Sequence, residues 1–98
     1  MNQTQQKRKY LRYPSSPLDV GHVHLNLQQE EFAPDYVGLI IEQSAIGGCC
    51  LAILNPDQLK EKQKCRVKLG ELPPILAEVR WLRPLDTGIN LIGFQFLE

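Results

Sequence analysis

Hydrophobic and polar residues alternate along most of this chain with the two-residue period of β-strands, in short runs separated by turn-forming residues. The longest apolar stretch, Tyr36 to Leu54, is cut by Ser44-Ala45-Ile46-Gly47-Gly48 into two strand-length halves. Before the turn, Val37, Leu39 and Ile41 alternate with Gly38, Ile40 and Glu42, so one face becomes wetter toward Glu42. After it, Cys49 to Leu54 is almost wholly apolar, as in a buried strand. The turn itself supplies a hydroxyl that bonds nearby backbone and two glycines able to take positive φ or to let a ligand approach the backbone.

Other runs flank this hairpin. Leu18 to Leu27 reads as a strand with Val20, His22, His24 and Asn26 on one parity and Gly21, Val23, Leu25 and Leu27 on the other. Gln28 to Asp35 is a polar loop containing Pro34. Asn55-Pro56-Asp57 marks a turn, and Lys64 to Leu69 alternates cleanly, with Cys65, Val67 and Leu69 opposite Lys64, Arg66 and Lys68. Gly70 to Pro74 turns the chain into Ile75 to Leu82, where Ala77, Val79 and Trp81 oppose Glu78 and Arg80. After a turn at Pro84 to Gly88, Ile89 to Leu97 forms the last strand, and Gly93 within it signals a bulge or a close backbone approach. Six short strands, short turns and no amphipathic helix predict an all-β, six-stranded antiparallel sheet, closed into a barrel because closure removes exposed edges.

Composition narrows the function. A chain of 98 residues that is 43% hydrophobic supports one modest core. Residues 1–17 read as a flexible basic arm ending at the Pro14-Ser15-Ser16-Pro17 hinge, and residues 18–98 as the barrel domain. Glu42, Gln43 and Ser44 interrupt the best apolar run well short of the roughly 18 residues of a membrane span, and no apolar stretch follows the N-terminal cations as in a signal peptide. A cytoplasmic protein without membrane insertion is expected. Three cysteines with no C-x-x-C spacing fit small core residues in a reducing compartment. His22 and His24 have the spacing of a strand-borne metal pair, but no third ligand lies nearby in sequence.

The formal charge is zero, yet it is unevenly spread: Lys7, Arg8, Lys9 and Arg12 give residues 1–18 a charge of +4, and seven bases against eleven acids leave −4 on the rest. A small anion therefore suits the arm better than a nucleic acid suits the whole surface. Three Phe, three Tyr and one Trp are also few for a single-stranded nucleic-acid platform. No P-loop, nucleophile elbow or metalloprotease motif is present, so neither an enzyme nor a bound cofactor is expected.

Two signals combine toward binding. Arg8 and Arg12 place two guanidiniums on an arm that enters the fold a few residues later, and guanidiniums grip phosphates, fork onto guanine O6 and N7, and stack on bases. Glu42, Ser44 and Gly47 offer acceptors and backbone at a rim, where the donors of a guanine Watson-Crick edge would be met.

Arg8-x-x-x-Arg12, followed about thirty residues later by Glu42-x-Ser44-x-x-Gly47, resembles the PilZ domain pattern of R-x-x-x-R and then D/N-x-S-x-x-G. The Ala77 to Trp81 strand and the ending Ile92-Gly93-Phe94-Gln95-Phe96 are similar to the same family. The resemblance implies a six-stranded barrel that receives the bacterial second messenger cyclic di-GMP. By that analogy Arg8 and Arg12 engage guanine and phosphate, Glu42 and Ser44 take polar contacts to a guanine, and Gly47 shapes the turn. It further implies a separate downstream protein as partner. Glu42 departs from the family's Asp or Asn by one methylene; a hydrogen bond lost to that difference would cost about 1.5 to 3 kcal/mol. The alternative is a PilZ-like adaptor that binds a protein partner without nucleotide.

Overall fold

The computed structural model describes residues 20–44 and 47–98 of the chain. It contains six strands and, among the described residues, no helix: β1 (Val20–His24), β2 (Tyr36–Gln43), β3 (Gly48–Leu54), β4 (Lys64–Leu69), β5 (Ile75–Asp86) and β6 (Ile89–Phe96). Every pairing is antiparallel. The strands close in the order β1, β2, β3, β6, β5, β4 and back to β1, the expected six-stranded barrel. The barrel interior is filled by Val23, Leu51, Ile53, Cys65, Val67, Val79 and Ile92, all essentially inaccessible to solvent. Each of the larger aliphatic side chains contributes about 1.5 to 3 kcal/mol by leaving water.

The face that β2 turns inward differs from the one its composition suggests. Tyr36, Gly38 and Ile40 point to the core, whereas Val37, Leu39 and Ile41 are exposed by 54%, 57% and 52%. The reason lies in the neighbouring strands. Gly21 of β1 is paired with Gly38 of β2, and the space that both leave is taken by leucine and isoleucine from β3. A Cβ on Gly21 would stand 2.8 Å from Leu51 Cδ2, and one on Gly38 2.7 Å from Ile53 Cγ1. With Leu51 and Ile53 occupying that volume, the larger side chains of β2 have no room inside.

β5 is longer than its alternation predicts and continues through Pro84 to Asp86, so the turn shrinks to Thr87 and Gly88. Pairing with β4 spans Ile75 to Glu78 only, so Pro84 lies where β5 has a partner on one side, a position in which a strand tolerates the missing N–H. His24 also departs from its expected polar face, being 1% exposed at the end of β1. Its Nδ1 accepts a hydrogen bond from the Ala33 N–H (3.2 Å) and faces Arg66 Nη2 at 3.2 Å, and its ring meets Phe32 edge-on at 5.4 Å. Because guanidinium and amide both donate, Nδ1 is the acceptor and the ring hydrogen sits on Nε2. Arg66 further donates to the carbonyls of Glu30 (3.2 Å) and Gln29. The pair thereby latches the polar loop onto the barrel, which commits His24 to structure.

Candidate functional site

Strict alternation would put Glu42 on the same side of β2 as Ile40, that is, inside. A β-bulge prevents this. Ile40 pairs with Leu51 and Glu42 with Cys50, leaving Ile41 as an extra residue that reverses the parity. Leu51 points into the core, so Glu42 and Cys50 share the outer face. β5 repeats the device: Val79 pairs with Phe94 and Trp81 with Gly93, with Arg80 as the extra residue. Val79 is buried in the core, and the bulge turns Trp81 outward instead of continuing the inward series expected from Ala77 and Val79. Bulges re-aim side chains in this way wherever two residues oppose one.

The two bulges converge. Glu42 pairs with Cys50, Cys50 with Gly93, and Gly93 with Trp81, so the four residues form one row across β2, β3, β6 and β5 on the barrel's outer surface. Between the ends of this row lies a pocket of about 390 Å³, bounded by Glu42 and Ser44 on one side and by Arg80 and Trp81 on the other, with Cys50 and Gly93 among its lining residues. Gly93 is where the expected close approach occurs, and the bulge sits on the partner strand. A Cβ there would fall inside the indole of Trp81, so only glycine admits the ring.

Electrostatically the pocket carries both signs. Arg83 stacks on Trp81 with its guanidinium carbon 4.6 Å from the ring centroid, and Arg80 lies 4.0 Å from Glu78. The Cys50 thiol is held above its ordinary pKa, first by burial and then by the Glu42 carboxylate, while Arg83 opposes the shift. One thiol thus feels the acid at one end of the row and the guanidinium at the other.

The turn between β2 and β3 supports the acidic side. The Gly47 N–H donates to Ser44 Oγ (3.1 Å), the Ser44 N–H to the Gly48 carbonyl (2.8 Å), and the Phe96 N–H to the Gly47 carbonyl (3.0 Å), which ties the turn to β6. Neither Gly47 nor Gly48 has positive φ; that conformation is confined to Gly70 and Gly88 among the described glycines. Gly48 is required by a close approach to the Phe94 carbonyl, whereas a Cβ on Gly47 would meet nothing nearer than Ser44 Oγ at 3.6 Å. Among the described residues the space beside the Gly47 Cα is therefore unfilled, while its N–H and carbonyl are taken by Ser44 and Phe96. Ser44 also borders a second, more apolar pocket of about 410 Å³ formed with Leu69, Leu72, Pro74, Ile75 and Phe96.

Of the five residues singled out from sequence, Glu42 and Ser44 line this pocket and Gly47 is bonded to Ser44 beside it, while Arg8 and Arg12 lie outside the described residues. Trp81, Arg80 and Cys50 were missed, because the alternation of β5 assigned Trp81 to the core. The glycine at position 93 was the available signal: a glycine inside a strand leaves room for a large neighbour across the ladder. Among the described residues no three potential metal ligands cluster, and no helix is long and apolar enough to cross a membrane. Compared with known proteins, the chain matches no family model, no curated protein and no solved structure.

Proposed function

We propose that the chain is a receptor for cyclic di-GMP of the PilZ kind, with the nucleotide seated on the outer face between Glu42 and Trp81. The observation that carries this reading is the convergence of two bulges that aim a carboxylate and an indole at one surface pocket. A guanine needs an acceptor for its Watson-Crick donors and a flat apolar surface for its ring. Glu42 supplies the first and Trp81 the second, with the base taking the place of the Arg83 guanidinium that stacks on the ring, and base-on-aromatic stacking contributes about 1 to 3 kcal/mol per base. Arg80 and Arg83 add guanidiniums for phosphate or for guanine O6 and N7. The path of the chain fits as well. Val20 pairs with Leu39, three residues before Glu42, so residues 1–19 enter the fold at the barrel end that bears Glu42 and Ser44. We read Arg8 and Arg12, which precede that point in the chain, as further contacts to the same ligand. The receptor reading includes a separate protein as its downstream partner.

Calorimetric titration with cyclic di-GMP tests the reading, run on the wild type beside Arg12→Ala and Glu42→Asp. Micromolar or tighter binding that Arg12→Ala abolishes is the expected result, and Glu42→Asp reports whether the longer acid weakens the site. No heat from the wild type with binding restored in Glu42→Asp would leave the protein-binding adaptor as the better account.

A further inference from the structure

The outer faces of β2, β3 and β6 carry an apolar surface below the pocket that the proposed ligand does not use. Register assembles it: Leu39, Ala52 and Leu91 form one cross-strand row, Leu54 and Ile89 pair in the next, and Val37 precedes the paired Gly38 on the adjoining end of β2. Leu39, Val37 and Leu54 are exposed by 57%, 54% and 63%. Single apolar side chains are ordinary on a protein surface, but a contiguous patch of this kind marks a place where something docks. Glu42 stands at one end of β2 and Arg83 and Asp86 stand along β5, at the margins of this surface.

We propose that the chain's own N-terminal segment covers this surface, with Tyr10, Leu11 and Tyr13 laid against the Leu39, Leu54 and Leu91 rows. The entry point of the chain is the first reason. Val20 is paired with Leu39, so the segment leaves β1 at the very margin of the patch. Strands lie about 4.8 Å apart, which puts Leu91 on β6 about 14 Å from β1. Tyr13 precedes Val20 by seven residues, an extended reach of about 24 Å at most. Composition is the second reason. In Lys7-Arg8-Lys9-Tyr10-Leu11-Arg12-Tyr13 three large apolar groups are interleaved with cations. The apolar groups can lie on the sheet while the long cationic side chains reach back to water or toward Glu42. This docking requires no nucleotide, and so goes beyond the receptor reading.

Limited trypsin digestion of the full chain without nucleotide tests it, by the rate of cleavage after Lys7, Arg8, Lys9 and Arg12. The variant is Leu39→Asp with Leu54→Asp, whose side chains point away from the core and whose sites leave the cleaved sequence untouched. Cleavage in the variant is expected to be at least about tenfold faster than in the wild type, the ratio that a docking free energy of about 1.4 kcal/mol gives. Should the aspartates lower the melting temperature, the milder pair Leu39→Ser with Leu54→Ser gives the same direction of change. Equal rates in wild type and variants overturn the proposal. So does a wild type that sediments as a dimer and is dissociated by the variants, since a second copy would then be the cover. Cyclic di-GMP binding alongside fast wild-type cleavage overturns the docking alone; slow cleavage without nucleotide binding overturns the receptor alone.

Discussion

Trp81 lies so tightly against Gly93 on the paired strand that a Cβ on the glycine would occupy the space of the indole's Cε2 and Nε1. This relationship sets one wall of the outer pocket, because an indole seated on a bare backbone presents its ring to the space between β5 and β2. Replacing Gly93 by alanine should therefore displace the ring and cost about 1 to 3 kcal/mol, the usual range for overpacking. Urea denaturation followed by tryptophan fluorescence reads both effects at once, since Trp81 is the single tryptophan. Unchanged emission together with an unchanged midpoint would mean that the ring does not depend on that glycine.

The bulge at Ile41 is what brings Glu42 outside. Deleting Ile41 removes the extra residue and makes Glu42 the direct successor of Ile40, opposite Cys50 and still on the outer face. Because no charge is buried, the deletion should keep the carboxylate at the pocket and cost no more than the ordinary range of about 0.5 to 3 kcal/mol. Ile41→Ala keeps the extra residue and should stay within about 0.5 kcal/mol of wild type. Thermal melts of the two variants make the comparison; a deletion that unfolds the barrel would show that the bend at the bulge is itself needed to hold β2 on β3.

Burial holds the thiols of Cys49 and Cys65 well above the ordinary value of 9.0, at about 12 for each. Above pH 9 the unfolded chain releases these protons while the folded barrel retains them, so fewer protons are bound in the unfolded state and stability falls as pH rises. With two such groups the slope reaches at most about 2.7 kcal/mol per pH unit between pH 9 and about 12, and the contribution is intact below pH 9. Chemical denaturation at pH 8, 9 and 10 measures it. Cys65→Ala should make the fall shallower, and a slope indifferent to that change would count against the assignment.

Arg66 holds the loop after β1 through His24 and the carbonyls of Gln29 and Glu30. Arg66→Ala removes a charged donor from all three acceptors and should cost about 1 to 3 kcal/mol. Its local signature is cleavage after Glu30 and Glu31 by a glutamate-specific protease, slow in the wild type and fast in the variant. If the loop resists the protease equally in both, the latch lies in the Ala33 and Phe32 contacts with His24 instead.

Local pattern was a good guide wherever a strand ran without a bulge. Lys64 to Leu69 alternates in the folded barrel as it does on paper, with Cys65, Val67 and Leu69 inside. The turns at Asn55-Pro56-Asp57 and Gly70 to Pro74 were equally plain, because proline and glycine act on the backbone they belong to. Alternation breaks at Ile41 and at Arg80 for one shared reason: a single extra residue reverses parity, and whether a residue is extra depends on what stands opposite. The turn that holds Ser44 and Gly47 was legible because its hydrogen bonding is local, and the outward place of Trp81 was not, because it depends on Gly93 across the ladder.

The sequence by itself thus determined the six strands, their antiparallel succession and the acceptor-bearing turn, since period-two alternation and turn residues express short-range sterics and hydrogen bonding. Only the tertiary structure decided which side chains face the solvent at the pocket. The bulges at Ile41 and Arg80 exist relative to Cys50 and Gly93, and the outward turn of Val37 and Leu39 follows from Leu51 and Ile53 filling the space over Gly21 and Gly38. Facing is a property of paired strands and of a closed, finite interior, and neither is present in one strand read alone.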